Sequence, residues 1–156
     1  MPECLPKFLD CGIRDVQFGA GVTIVRPVNL YGCKIGDACF VGPFVEIQKN
    51  VEIGSGTRIQ SHSCICELVT IGEECFIGHG VMFINDPFLA NGPARGRREL
   101  WRETRVGNRV SIGSNATIMP VCICDDVVIG AGSVVTRSIT QPGIYAGNPA
   151  RCLRTG

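Results

Sequence analysis

An aliphatic residue returns at every sixth position along most of this chain, from Val16 to Val135. The series reads Val16, Val22, Val28, then Ile35, Val41, Ile47, Ile53, Ile59, Ile65, Ile71, Ile77, Phe83; it resumes at Val106, Ile112, Ile118 and again at Ile123, Ile129, Val135. A period of six fits neither a helix turn nor the two-residue alternation of an ordinary strand. The next residue is glycine at Gly36, Gly42, Gly54, Gly72, Gly78, Gly107, Gly113 and Gly130, and the residue four past the aliphatic is mostly small or β-branched, as at Cys39, Val45, Thr57, Ser63, Cys75, Ala116 and Cys122. This beat predicts one short strand and one tight corner per hexad. β-branched residues suit the strand, and glycine at the corner accepts backbone conformations closed to other residues. Three hexads close one triangular coil, so the pattern predicts an all-β prism of about six coils, roughly 30 Å tall at the usual strand spacing. No apolar helical period survives for three turns.

Three breaks interrupt the beat. Between Val28 and Ile35 one residue reads as inserted, near Tyr31-Gly32-Cys33, and between Ile118 and Ile123 one reads as missing, where Pro120 fixes the corner. From Ile84 to Arg105 the period vanishes for 22 residues. A solenoid places insertions on its surface, often on the binding face, and the one tryptophan, Trp101, argues for an ordered loop. Between Arg95 and Arg109 six arginines face two glutamates. That excess suits either a solvated basic loop or a docking surface for phosphates. No aromatics are interleaved to stack bases, and the formal net charge is only +1, so nucleic acid is not an expected partner.

The 156 residues fit one domain, 1–156, with a loop insertion at 84–105 and a short C-terminal cap at 137–156. No apolar run is long enough to cross a bilayer and Met1–Asp10 lacks a secretory core, which predicts a cytoplasmic protein without membrane contact. Of the ten cysteines, Cys39, Cys75 and Cys122 take the inward small site of a hexad, and Cys66 and Cys124 the corner site usually held by glycine. Reduced thiols acting as small hydrophobes are expected. With two histidines and no Cys-x-x-Cys pair, no metal is expected.

The hexads Ile53-Gly54-Ser55-Gly56-Thr57-Arg58 and Ile129-Gly130-Ala131-Gly132-Ser133-Val134 resemble those of the hexapeptide-repeat acyltransferases, over about 120 of the 156 residues. The resemblance implies a left-handed parallel β-helix, although the ordinary crossover rule predicts the opposite hand. It also implies a homotrimer with sites between subunits and acetyl-CoA as co-substrate. The segment from Ile77 through His79 to Asn85-Asp86, with Trp101-x-x-Thr104 and Ser111 to Pro120, resembles the nucleotide-sugar N-acetyltransferase branch. That branch acetylates the amino group of a nucleotide-linked sugar.

By this resemblance Asn85 stands at the active centre, orienting the amine or donating to the oxyanion. His79 is either a general base or a corner residue bonding across a subunit seam; Asp86 either takes a proton or shapes the turn before Pro87. An amine attacks once neutral, so a site without a strong base suits N-acylation. His62 reads as a surface residue. The tail Tyr145-Ala146-Gly147-Asn148-Pro149-Ala150-Arg151 resembles the signature that follows the last coil in CoA-dependent members, and also suits a cap over an edge strand. Expected contacts to coenzyme A are Gly113, Ser114 and Ala131 along the pantetheine arm, with Arg137, Asn148, Pro149, Arg151 and Arg154 toward the phosphates. Asn29, Glu46, Gln48 and Gln60 are available corner residues for the acceptor. An O-acetyltransferase with His79 as base and a non-catalytic scaffold are the competing readings; a γ-class carbonic anhydrase would need three histidines.

Overall fold

The computed structural model describes residues 6–155. Its strands are two or three residues long until the last two, and they stack into three parallel sheets. Face A holds seven strands, from Ile13–Arg14 through Asn29–Tyr31, Glu46–Ile47, Cys64–Ile65, Met82–Phe83 and Thr117–Ile118 to Val134–Val135. Face B runs from Gln17–Phe18 through Lys34–Ile35, Glu52–Ile53, Val69–Ile71 and Thr104–Val106 to Cys122–Ile123. Face C starts at Thr23–Ile24 and ends with Val127–Ile129, then Gly143–Gly147, on which Ala150–Thr155 folds back antiparallel. The chain visits A, B and C in turn, as a left-handed parallel β-helix. Seven levels on face A replace the six coils expected from the hexad count.

The extra level exposes an error of phase. Leu30 pairs with Ile47, Phe18 with Ile35 and Ile24 with Val41, so Phe18, Ile24 and Leu30 occupy the large inward site of the first coils. Val16, Val22 and Val28 stand two residues earlier, at the small site. The break near Tyr31 is therefore a corner one residue short rather than one residue long, and Cys33 is the fully buried small residue that follows it. The same slip misplaced Cys122: Val121 points inward, and Cys122 is exposed.

Glycine at the corner also serves a different purpose from the one expected. The left-handed residue lies three places after the aliphatic, at Ala38, Phe44, Asn50, Gly56, His62, Leu68, Glu74, Gly80, Arg109, Asn115, Asp126 and Gly132. The glycine one place after the aliphatic is needed for room. A Cβ on Gly36 would sit 2.7 Å from Ser55 N, and one on Gly78 2.7 Å from Ser114 N, both rigid backbone of the next coil. Coil spacing is set by the sheet ladder, so the corner must lose its side chain.

The core is a column of isoleucine and valine from Leu30 to Val135. Two buried hydroxyls stitch successive coils. Thr57 Oγ1 donates to Gly72 O at 2.9 Å and accepts from Cys75 N at 3.0 Å, and Ser63 does the same with Gly78 O and Val81 N. Among the described residues no buried side-chain nitrogen or oxygen lacks a partner. The C-terminal hairpin covers the last edge of face C, where Gly147 N donates to the buried Ser133 Oγ at 3.1 Å.

The insertion runs to Glu103, because Thr104–Val106 is a strand pairing with Val69–Ile71. It leaves the helix at the corner between faces A and B. A short 3-10 turn at Arg98–Leu100 and the fully buried Ala94 anchor it. No helix among the described residues is long and apolar enough to cross a membrane.

Candidate active site

Residues eighteen apart stack on one another, because three hexads make one coil. At the corner between faces C and A this places Ser61, His79, Ser114 and Ala131 in one vertical row, each two places after a paired aliphatic: Ile59, Ile77, Ile112 and Ile129. The row is tied together through its backbone. Gly80 N donates to Ser61 O, Asn115 N to His79 O and Gly132 N to Ser114 O, at 2.8–2.9 Å. Gly113 N is spent on Ile129 O at 2.8 Å. The corner amides expected to meet a pantetheine arm are thus only partly free: those of Ser114 and Ala131 take no part in the ladder, whereas those of Gly113 and Gly132 do.

His79 is exposed, and its Nδ1 lies 2.9 Å from Ser61 Oγ, one coil below. Nε2 makes no hydrogen bond among the described residues. If Nδ1 carries the proton and donates to Ser61, Nε2 is a free base; in the other tautomer Ser61 donates and Nε2 is a donor. The turn Asn148–Pro149, between the two hairpin strands, continues the row past the last coil, with Arg151 exposed beside it. Arg137 follows Val134–Val135 and so belongs to the corner between faces A and B, apart from the other expected coenzyme contacts.

Asn85 stands at that second corner, above Glu67. Its Nδ2 donates to Glu67 O at 3.2 Å, and its own carbonyl accepts from Arg102 N at 2.8 Å. His79 and Asn85 lie one hexad apart in the sequence, and one hexad moves the chain to the next corner, so the strand Met82–Phe83 separates them. Within one chain they do not form a single constellation. Asp86 shapes the turn: Oδ1 accepts from Phe88 N at 3.0 Å and Oδ2 from Ala94 N at 2.7 Å. Its carboxylate staples the base of the insertion and does not face His79's corner.

The basic segment is mostly committed to the chain itself. Arg98 pairs with Glu67 and packs over Trp101, Arg105 pairs with Glu103 at 3.0 Å, and Arg109 with Asp126 at 2.8 Å. Arg97 and Arg102 donate to carbonyls within the loop. Arg109 holds the Asp126 carboxyl below the usual carboxylate range. This leaves little of the expected phosphate-docking surface there.

Asn29 and Glu46 lie on face A rather than at corners. Asn29 Nδ2 donates to Glu46 Oε2 at 3.0 Å and Gln48 Nε2 to Glu46 Oε1 at 2.6 Å. Gln60 stands at the corner of His79, beside Ser61, and His62 is exposed there, stacked on Phe44 with ring centroids 4.9 Å apart. Sequence reading missed Ser61, Glu67 and Phe44. The first two lie eighteen residues before His79 and Asn85, an offset that would have found them. Burial pushes the thiols of Cys33 and Cys66 up to about 11 and about 12, so neither is a nucleophile near neutral pH. Among the described residues no three His, Cys, Asp or Glu side chains converge as a metal site.

Two family models match the chain, the bacterial transferase hexapeptide (six repeats) at residues 32–67 and the hexapeptide repeat of succinyl-transferase at residues 103–137. A UDP-3-O-acylglucosamine N-acyltransferase from Bordetella avium is 30% identical over 134 residues, covering 86% of this chain and 27% of that protein. The chain spans 27–30% of the length of such curated relatives. Among solved structures, a hexapeptide-repeat acetyltransferase from Vibrio cholerae O1 biovar eltor, complexed with acetyl coenzyme A, is 27% identical with a TM-score of 0.63, over 80% of this chain and 70% of that one. A perosamine N-acetyltransferase from Caulobacter crescentus, in complex with CoA and GDP-perosamine, is 21% identical with a TM-score of 0.64, over 91% and 57%. The stacked hexads, the glycine-relieved corners and these matches agree: the chain belongs to the hexapeptide-repeat transferases.

Proposed function

We propose that this chain transfers an acyl group, acetyl in the first instance, from coenzyme A to the amino group of a nucleotide-linked sugar. The observation that carries the reading is the row Ser61, His79, Ser114, Ala131 at one corner, continued by Asn148–Pro149. Small residues at Gly113, Ser114 and Ala131 let an extended arm lie close to the backbone. The N–H groups of Ser114 and Ala131 are available to its amides, and Arg151 and Arg154 at the exposed hairpin are available to its phosphates. An arm descending this row delivers its thioester at the level of His79. The relatives' names support amino sugars as acceptors, and the acetyl coenzyme A complex of the Vibrio cholerae protein supports the donor.

In the reaction the acceptor nitrogen lone pair forms a bond to the thioester carbonyl carbon. The C–S bond then breaks, coenzyme A leaves as thiolate, and the amine loses one proton. His79 Nε2 is placed to take that proton when Nδ1–H donates to Ser61. Asn85 serves from a second subunit, since the geometry of one chain keeps it a face away; a trimer with sites at its seams meets that need. A hydroxyl acceptor is the second reading, favoured by the Ser61–His79 contact, because an alcohol requires a base and this histidine is oriented as one.

Titration of coenzyme A against thermal unfolding tests the donor: at a hundred times its dissociation constant a ligand of the native state stabilises by about 2.7 kcal/mol. Release of free thiol from acetyl-CoA with amino-sugar and hydroxyl-sugar acceptors then separates the two readings. Absence of both binding and thiol release would leave a scaffold.

A further inference from the structure

Each coil adds one outward side chain to the middle of face C, and the strand register fixes their order. Reading up the prism, the column is Phe40, Arg58, Phe76, Ser111, Val128 and Ile144. The equivalent column on face B, Gln17, Lys34, Glu52, Thr70 and Arg105, is polar, and its cations are neutralised. Lys34 pairs with Glu52 at 2.9 Å and Arg105 with Glu103 at 3.0 Å. The column on face C holds a cation and no acid. Arg58 makes no ion pair among the described residues. Its guanidinium lies over the Phe40 ring, 4.6 Å from the centroid, which restricts the side chain in advance of any ligand. On the next rung Phe76 is 43% exposed. In the trimer proposed above, the His79 corner of one copy meets the Asn85 corner of the next, which turns face A inward and leaves face C in solvent.

Spacing decides what such a column holds. Its rungs recur at about 4.8 Å. A peptide strand laid along it would present side chains at about 6.6–6.8 Å, every second residue, and would fall out of step by the second rung. An extended saccharide advances by about one rung per ring, so successive rings keep register with Arg58, Phe76 and Ser111. The three side chains suit three parts of such a chain. An arginine fork takes a carboxylate, an exposed aromatic face takes the apolar C–H face of a sugar ring, and a serine hydroxyl bonds a sugar hydroxyl. We propose that face C binds a linear anionic saccharide of the uronate class along Arg58, Phe76 and Ser111. The site stands apart from the corner of His79, and it goes beyond the transfer reading rather than resting on it.

The test titrates the full chain calorimetrically with hexasaccharides of β-linked mannuronate and of hyaluronate, with neutral cellohexaose, and with a hexaglutamate peptide. At least one anionic hexasaccharide binds the wild type more tightly than cellohexaose or the peptide does. Phe76→Thr, whose β-branched replacement suits the strand, weakens that binding by about tenfold. Arg58→Gln weakens it by about fivefold and removes the preference over cellohexaose. Both variants keep the far-ultraviolet circular dichroism of the wild type, since both side chains point away from the core. Failure of both anionic hexasaccharides to bind the wild type overturns the proposal, as does an unchanged affinity in Phe76→Thr. Equal or tighter binding of the peptide overturns it as well, because the column then attracts polyanions without reading a sugar.

Discussion

One corner contains two glycines with different jobs, and substituting them separately measures what sets the spacing of the coils. Gly54 follows Ile53 directly, and an added Cβ would stand 2.6 Å from both Gly72 O and Glu73 N of the coil above. Relaxed contacts between such atoms are more than half an ångström longer. The neighbour is backbone held by the ladder, Gly54 N to Ile71 O at 2.8 Å and Gly72 N to Val106 O at 2.9 Å, so it cannot turn aside as a side chain would. Overpacking of this kind costs about 1–3 kcal/mol, and weakening one ladder bond adds about 1 kcal/mol. Gly56, two residues on, has φ +70°, and its added Cβ would come no closer to Glu74 than 3.5 Å, at Cγ, an ordinary contact. There alanine suffers the left-handed penalty alone, about 1–2 kcal/mol. The lower chain entropy of unfolded alanine returns about 0.4–1 kcal/mol in both cases. Gly54→Ala should therefore lose about 2–3 kcal/mol and Gly56→Ala about 1 kcal/mol or less. Urea unfolding followed by far-ultraviolet circular dichroism, at one protein concentration and with matching m-values, gives the comparison. If Gly56→Ala proves equal to or worse than Gly54→Ala, steric contact between corners does not govern the stack.

Five further outcomes are expected. Thr57→Val keeps the volume but leaves Cys75 N–H without its acceptor, and should cost about 1–3 kcal/mol in the same unfolding measurement. With Ellman's reagent at pH 8 the exposed Cys11, Cys122 and Cys152 should react in the folded protein, while Cys33 and Cys66 stay silent until urea is added. Because burial raises those two thiols, their unfolded forms ionise first on going alkaline, so folding stability should fall as pH rises from about 9 toward 11, and Cys33→Ala should flatten that slope. Asp86→Ala removes the acceptor of Phe88 N and Ala94 N; hydrogen exchange at both amides should speed up while the amides of Ile65 and Ile77 remain protected. Asn85→Ala should lower turnover of the acetyl transfer more than ten-fold with the assembly intact by light scattering, and normal turnover would remove Asn85 from the reaction.

The period of six was enough to predict an all-β prism, because only a corner every sixth residue lets one aliphatic row face inward throughout. It also located the insertion from Ile84 on, just past Phe83, where that row stops. Depth and phase were not legible in the same way. Val16, Val22 and Val28 satisfied the count as well as Phe18, Ile24 and Leu30 did, and only strand pairing shows which set lies opposite Ile35, Val41 and Ile47. The role of glycine was equally hidden: composition signals a corner, whereas the coil above decides whether room or backbone conformation is required, as Gly54 and Gly56 show. Functional groups followed the same division. The family resemblance put Asn85 at the active centre, with His79 and Asp86 as the candidate proton acceptors near it in sequence. Tertiary structure sent His79 to one corner and Asn85 to the next, tied Asp86 to the loop, and joined His79 to Ser61 eighteen residues away. A hexad advances the chain by one face, and three are needed before a residue meets its neighbour again. Proximity in this fold is therefore proximity between coils, which the order of residues encodes only once the length of a coil is known.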